Sequence, residues 1–270
     1  MLVERLFPPE SSYYTKWRNS FSKLGEKMDA GGLIQLFIIW TLTVSGIVAN
    51  MDHTNRFVYW EWSGWMIGLI KLCLVSIVFL IWIHPRKLWI IGTRTLNNTE
   101  LGTHLGIAIV LLLIGWFSPS SGLGSLSSLV PYLTAFLSGL LVFQFILEFD
   151  QTKGIWFNFH WDNKELYLSL SVLSMSIAIL IGIQFDDPVV STAGMVALPF
   201  AAIALIWPSH VRHLQRARFY PIFIFAMFLC VRAPWFLIPL AVLFFVLRTV
   251  NYFRYGIVHP SFGVDFLEEA

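Results

Sequence analysis

Charge is scarce in this sequence: Asp, Glu, Lys and Arg make up 13% of its 270 residues, where ordinary soluble domains carry about a quarter. That scarcity excludes a chain whose main solvent is water. Cysteine is nearly absent as well. Cys73 and Cys230 are the only two, and both fall inside apolar segments, so they offer neither a disulfide framework nor a metal-ligand spacing. The sequence also lacks HExxH, GxxxxGK[ST], GxGxxG, GxSxG and CxxC, which removes the common metalloprotease, nucleotide-binding, hydrolase and redox signatures. No lysine follows Lys164 within the later apolar segments, which excludes a retinal Schiff base in a last helix. No polar stretch exceeds about 30 residues, leaving no room for a folded domain outside the apolar segments.

What is present is hydrophobic. The composition is 57% apolar and the mean hydropathy is +0.70. The apolar residues come in blocks such as 33–48, 66–83 and 166–183, close to the ~20 residues that cross about 30 Å of hydrocarbon as helix. A β-barrel requires alternating segments with a polar inner face, and these blocks are apolar all round. The fold class expected is therefore all-α, a polytopic transmembrane helix bundle of about eight spans. Their expected positions are 33–50, 64–83, 103–117, 128–148, 166–185, 189–207, 219–232 and 234–250. The seventh is short for a span and ends at Arg232-Ala233-Pro234, where proline disfavours helix, so 219–250 reads as two spans, a re-entrant hairpin or one kinked helix. The block starting at Leu33 has no small-residue cleavage pattern after it and is counted as the first span rather than a signal peptide. The organisation expected is a cytoplasmic N-terminal segment at 1–32, the bundle at 33–250 and a cytoplasmic tail at 251–270.

Orientation follows from the cations, since cytoplasmic loops retain Lys and Arg. With eight spans and the N-terminus inside, fifteen Lys and Arg fall on the cytoplasmic side and two, Arg56 and Arg232, on the other, with Lys71 left within a span. The expected location is a plasma membrane of bacterial type with both termini cytoplasmic. Lys71, about two turns from a helix end, is expected to snorkel to the interface. Arg232 is placed to pair with Asp186 or Asp187 in the turn QFDDP.

Ahead of the first span, Tyr14, Trp17, Phe21, Leu24 and Met28 recur at spacings of three and four, the stripe of an amphipathic helix. Lys16, Arg18, Lys23 and Lys27 occupy its other faces. Such a helix either lies in the headgroup layer against anionic lipid or packs on the protein's own cytoplasmic loops, and the first is the expectation. Ser11 or Ser12 can cap its start.

Six of the seven histidines fall on the expected cytoplasmic side. His84, His104, His210 and His213 stand at helix ends and could converge as metal or haem ligands; separate helix-end residues are the simpler expectation. Around His210 and His213 the chain supplies Arg212, Arg216 and Arg218, and this set of five suits an anion or lipid headgroup rather than a metal ion. No metal is expected, and no cofactor or catalytic residue is assigned. The densest polar cluster is 148–165, where Glu148, Asp150, Lys153, Asn158 and His160 lie among aromatic residues. Through Trp156, Trp161, Asp162, Lys164 and Glu165 it resembles the tryptophan-rich loop of haem-handling cytochrome c assembly proteins. The match covers a dozen residues and falls on the opposite side of the membrane, so membership does not follow.

These features favour a non-enzymatic role, as a transport permease or an integral subunit of a larger membrane complex. The alternative is a membrane-embedded enzyme acting at the cytoplasmic face on a lipid or isoprenoid, with metal or haem dependence open. Expected partners are membrane lipids, including anionic headgroups, and other membrane protein subunits, with no nucleic acid. The orientation is checked by labelling single cysteines introduced at 84–102 and 208–218. Both loops should react with an impermeant reagent only from the cytoplasmic side, and reaction from outside overturns the orientation.

Overall fold

The computed structural model describes residues 2–51, 62–118, 123–144, 147–150, 155–158 and 163–256. Ten α-helices are found there: α1 (Leu2–Leu6), α2 (Ser12–Ala30), α3 (Leu33–Ala49), α4 (Trp65–Val78), α5 (Asn98–Trp116), α6 (Val130–Val142), α7 (Lys164–Gln184), α8 (Pro188–Ile206), α9 (Val211–Arg232) and α10 (Leu237–Tyr255). A π-helical turn, Phe79–Ile83, extends α4, and 3₁₀ turns precede α6 and α10. The protein is an all-α bundle of apolar helices and an integral membrane protein.

The span count corrects to about seven. Six helices are long and apolar enough to cross a membrane, and a seventh is reached with α3, which passes that test only together with α2 across a bend of 53°. The shortfall against eight lies in the fourth segment. It is helical only over Leu126–Val142, about 25 Å at 1.5 Å per residue. Its expected C-terminal end belongs instead to a short antiparallel hairpin, β1 (Leu147–Asp150) with β2 (Ile155–Asn158), in which Leu147 opposes Asn158. Aromatic and branched residues suit a strand there better than the end of a helix. Lys153, His160, Trp161 and Asp162 of the polar cluster lie outside the described residues, as do His53, Arg56 and His259.

The seventh segment resolves as a full helix. α9 runs for 22 residues, from Val211 to Arg232, and contains Pro221. Its extra turns carry Arg212, Arg216 and Arg218, which hydropathy alone assigns to a loop. Ala233 ends it, and Pro234 opens the turn before α10.

The chain divides into two compact units, residues 1–34 with 237–270, and residues 35–236. Within the second, hydrogen bonds define two ends. At one, Gln35 Nε2 donates to Ile91 O (3.2 Å), Leu96 N–H to Gln144 Oε1 (3.0 Å) and Arg218 to Gly92 O (3.0 Å). At the other, Ser128 Oγ donates to Ala49 O (2.8 Å), while Lys71 Nζ donates to Gly115 O (2.6 Å) and Phe117 O (2.7 Å). Consecutive helices from α3 to α9 therefore run alternately between the same two ends. Lys71 caps the C-terminal carbonyls of α5, where a cation also meets the negative end of the helix dipole. Its side chain thus extends to the end of α5, the direction in which a lysine snorkels.

Two contacts show why the helices approach as closely as they do. A Cβ on Gly46 would overlap the carbonyl of Leu112, and one on Gly115 would overlap the carbonyl of Thr43. α3 and α5 thus cross backbone to backbone, the small-residue packing of membrane helices. Between α6 and α7, Ser138 and Ser171 exchange hydroxyl and carbonyl bonds at 2.8–2.9 Å, and Ser174 Oγ donates to Thr134 O (2.8 Å). Hydroxyls bonded this way join helices where lipid supplies no competing partner.

Gly46→Leu should lower stability in detergent by about 3 kcal/mol through overpacking, read as a fall in thermal unfolding temperature. Gly106→Ala in α5, where a Cβ meets nothing within 4 Å, should leave stability equal or slightly higher.

Candidate functional site

The core of residues 35–236 holds an apolar cavity of about 70 Å³ between α3, α6, α7 and α9. Its wall includes Ile38, Ala135, Phe136, Met175 and Phe225, with Pro221 of α9 and Gly139 of α6. Three hydroxyl residues join it, Thr41, Ser45 and Tyr132. Thr41 and Ser45 turn their hydroxyls to Phe37 O (2.9 Å) and Thr41 O (2.8 Å) of their own helix. The space keeps an apolar character because those hydroxyls are satisfied within α3. At Gly139 a Cβ would meet nothing within 4 Å, so the cavity has free room on that side.

A buried arginine stands near each end of the cavity. Phe143 and Ile91 close the first end. There the Arg218 guanidinium lies 4.8 Å from the Phe143 ring centre and 5.2 Å from that of Phe219, while it donates to Gly92 O. Gly92 has a φ of +84°, and a Cβ there would press on the guanidinium at 3.0 Å, so a larger residue is opposed both by backbone strain and by contact. Gln144 is buried beside this region and accepts from Leu96 N–H. At the second end stands the buried side chain of Tyr132, with the Asp187 carboxylate and the Arg232 guanidinium as its nearby charged groups. Asp187 also caps α8 by accepting from Val189 N–H (2.8 Å) and Val190 N–H (3.1 Å). Arg232 and Asp187 of the QFDDP turn are both buried in the neighbourhood of Tyr132 of α6. Ionisable groups inside a membrane bundle are costly and mark functional positions.

The histidines take different places. His104 is buried; its Nδ1 contacts Glu100 O (2.6 Å) and its Nε2 accepts from Ile90 N–H (2.9 Å). Since a carbonyl only accepts, Nδ1 carries the hydrogen, and both ring nitrogens are used in tying 88–91 to α5. The ring also stacks on Trp89 at 5.1 Å. His84 packs against Phe79. His210 and His213 are neighbours, with ring centres 4.4 Å apart, and Trp207 lies 5.9 Å from His213. Among the described residues, no group of three or more His, Cys, Asp or Glu is placed to hold a metal ion.

Of the five residues expected at an anion contact, His210 is exposed and Arg212, His213 and Arg216 are partly exposed at the start of α9. Arg218 stands apart from them, buried against Phe143 and Phe219. In the stripe expected at an interface, Tyr14 is buried and Phe21 stacks on Phe253 at 4.4 Å, whereas Trp17 and Leu24 are exposed and Met28 is partly so. Sequence reasoning missed the cavity. Its hydroxyls and Gly139 lie in apolar runs, where only the joining of α3, α6 and α9 gives them a common neighbour.

Comparison with protein-family models, with curated proteins and with solved structures gives no match.

His104→Ala should cost about 1–3 kcal/mol, because it removes the acceptor of the partly buried Ile90 N–H and the ring packed on Trp89. A thermal melt in detergent checks it. An unchanged melting temperature would mean that 88–91 is held by other contacts.

Proposed function

We propose that this protein is a permease whose path runs through the cavity between α3, α6, α7 and α9. The observation that carries this reading is an apolar cavity placed between two buried arginine clusters, Arg218 with Gly92 and Phe143 on one side and Tyr132 with Asp187 and Arg232 on the other. A permease needs both the space and separable closures at its ends. At about 70 Å³ the cavity has roughly half the volume of an engineered cavity that admits benzene, ~150 Å³. It is too small for a ring-sized solute as it stands, and passage requires the helices around it to part.

The break available for that opening is Pro221, which lines the cavity within α9. Proline leaves the carbonyl one turn earlier without its helical donor and weakens the helix locally. Arg218 sits three residues before it, so bending α9 there would move the guanidinium relative to Gly92 and Phe143. In this reading the end carrying Arg86, Lys87, Arg94, Arg212 and Arg216 faces the cytoplasm of a bacterial-type plasma membrane, in keeping with the positive-inside rule. His210, Arg212, His213 and Arg216 then meet lipid phosphate or an anionic solute at that face.

The test places a cysteine at Gly139, in a Cys73→Ser, Cys230→Ser background, and measures modification by an impermeant thiol reagent in right-side-out and inside-out vesicles. Modification from both sides is the expected result, with the rate from the arginine-rich side raised by Arg218→Gln. A Gly139→Cys site that stays silent from both sides, in folded protein whose cysteine placed at His210 reacts, would leave the cavity a static void and overturn the reading.

A further inference from the structure

The unit formed by residues 1–34 and 237–270 provides an inference independent of the transport reading. Its core is a cluster of Val3, Tyr14, Tyr252 and Phe253, with Phe7 and Phe21 packed against it. Tyr14 Oη donates to Tyr252 O (3.3 Å) and Phe253 O (3.2 Å), and Phe21 stacks on Phe253. Further along α2, a Cβ at Gly25 would sit 3.1 Å from side-chain atoms of Val250 and Arg254, and Asp29 pairs with Arg254.

These contacts fix the direction of α2. From Tyr14 to Asp29 the helix advances fifteen residues, about 22 Å, yet every partner named lies between Val250 and Arg254 of α10, about 6 Å along its axis. Two helices running alongside each other would advance together. α2 therefore lies across the end of α10. Because α10, with the turn before it, is long and apolar enough to span a bilayer, a helix laid across its end lies in the plane of the membrane at headgroup depth.

The same packing sets the roll of α2. Tyr14 and Phe21 turn to α10, leaving the neighbouring edge of the apolar stripe uncovered, with Tyr13 64%, Trp17 47% and Leu24 42% exposed. Lys16 and Lys27 each follow a member of that edge by three residues, and Lys23 lies on the same flank, seven residues after Lys16. All three are exposed. The acids of α2 fall outside this sector, Asp29 being held by Arg254.

We propose that the Tyr13, Trp17 and Leu24 edge of α2, with Lys16, Lys23 and Lys27, is a docking surface for anionic phospholipid. The rings and Leu24 enter the boundary between headgroups and acyl chains, where aromatic residues are favoured. The three ammonium groups reach lipid phosphates, and their preference for an anionic leaflet follows from its negative surface potential. α10 serves as the fixed strut, so the lipid-facing edge is chosen by the Tyr14 and Phe21 contacts rather than by the hydrophobic stripe alone.

The full chain in nanodiscs tests this, with a nitroxide placed at Leu24→Cys or Tyr13→Cys in a Cys73→Ser, Cys230→Ser background. In discs of phosphatidylcholine with phosphatidylglycerol, both labels should collide with oxygen far more than with a water-soluble nickel chelate. Native mass spectrometry should show retention of phosphatidylglycerol over phosphatidylcholine, and K16Q/K23Q/K27Q should reduce that preference about tenfold or more. Labels as open to the nickel chelate as one at exposed Glu10 would overturn the proposal. So would labels shielded from both reagents, which would indicate a covering protein, or a lipid preference that survives the triple substitution.

Discussion

The bundle depends on the inability of lipid to supply hydrogen bonds. A polar group carried into the apolar helices has to find its partner on the protein, and several ionisable side chains here do so on backbone groups. Lys71 is held by the end carbonyls of α5, Arg218 by the Gly92 carbonyl, and His104 by one backbone donor and one backbone acceptor. Side chain to backbone bonds of this kind do more than satisfy isolated atoms. Apart from the His104 bond to Glu100 within α5, they join residues 14 to 126 positions apart, so polar residues that are costly in lipid become ties that set which helix ends meet.

Against that background the absence of a side-chain filling for the cavity carries weight. Tight packing is available to this chain, as the backbone contact at Gly46 and Gly115 and the Trp235 indole against Gly68 demonstrate. Where α3, α6, α7 and α9 meet, the chain presents Gly139, a proline-containing helix and short hydroxyl side chains, and leaves space. The polar clusters at either end of that space are built on different helices and different chemistry. One is a cation stacked on aromatic rings beside a carbonyl, the other a phenol near a carboxylate and a guanidinium.

The N-terminal helix illustrates how a correct pattern can have two uses. Tyr14, Trp17, Phe21, Leu24 and Met28 form one continuous stripe in sequence, and a stripe records only that the helix buries that face. It does not record against what. α10 takes one edge through Tyr14 and Phe21, and the other edge, with Trp17 and Leu24, stays exposed beside lysines.

The sequence by itself determined the solvent and the fold class, because hydropathy accumulates locally: blocks of near-span length identify membrane helices whatever their neighbours. The same local signals offered Ser11 or Ser12 as the cap of α2, and Ser11 takes that place. Tertiary structure decided what depends on contacts across the chain. It ended α6 at Val142, drew Arg212, Arg216 and Arg218 into α9, gave His104 a neighbouring backbone rather than a ligand set, and brought Tyr132 to Asp187 and Arg232. A cavity has no sequence signature, since it is defined by side chains that fail to meet, and only the packed helices show where they do.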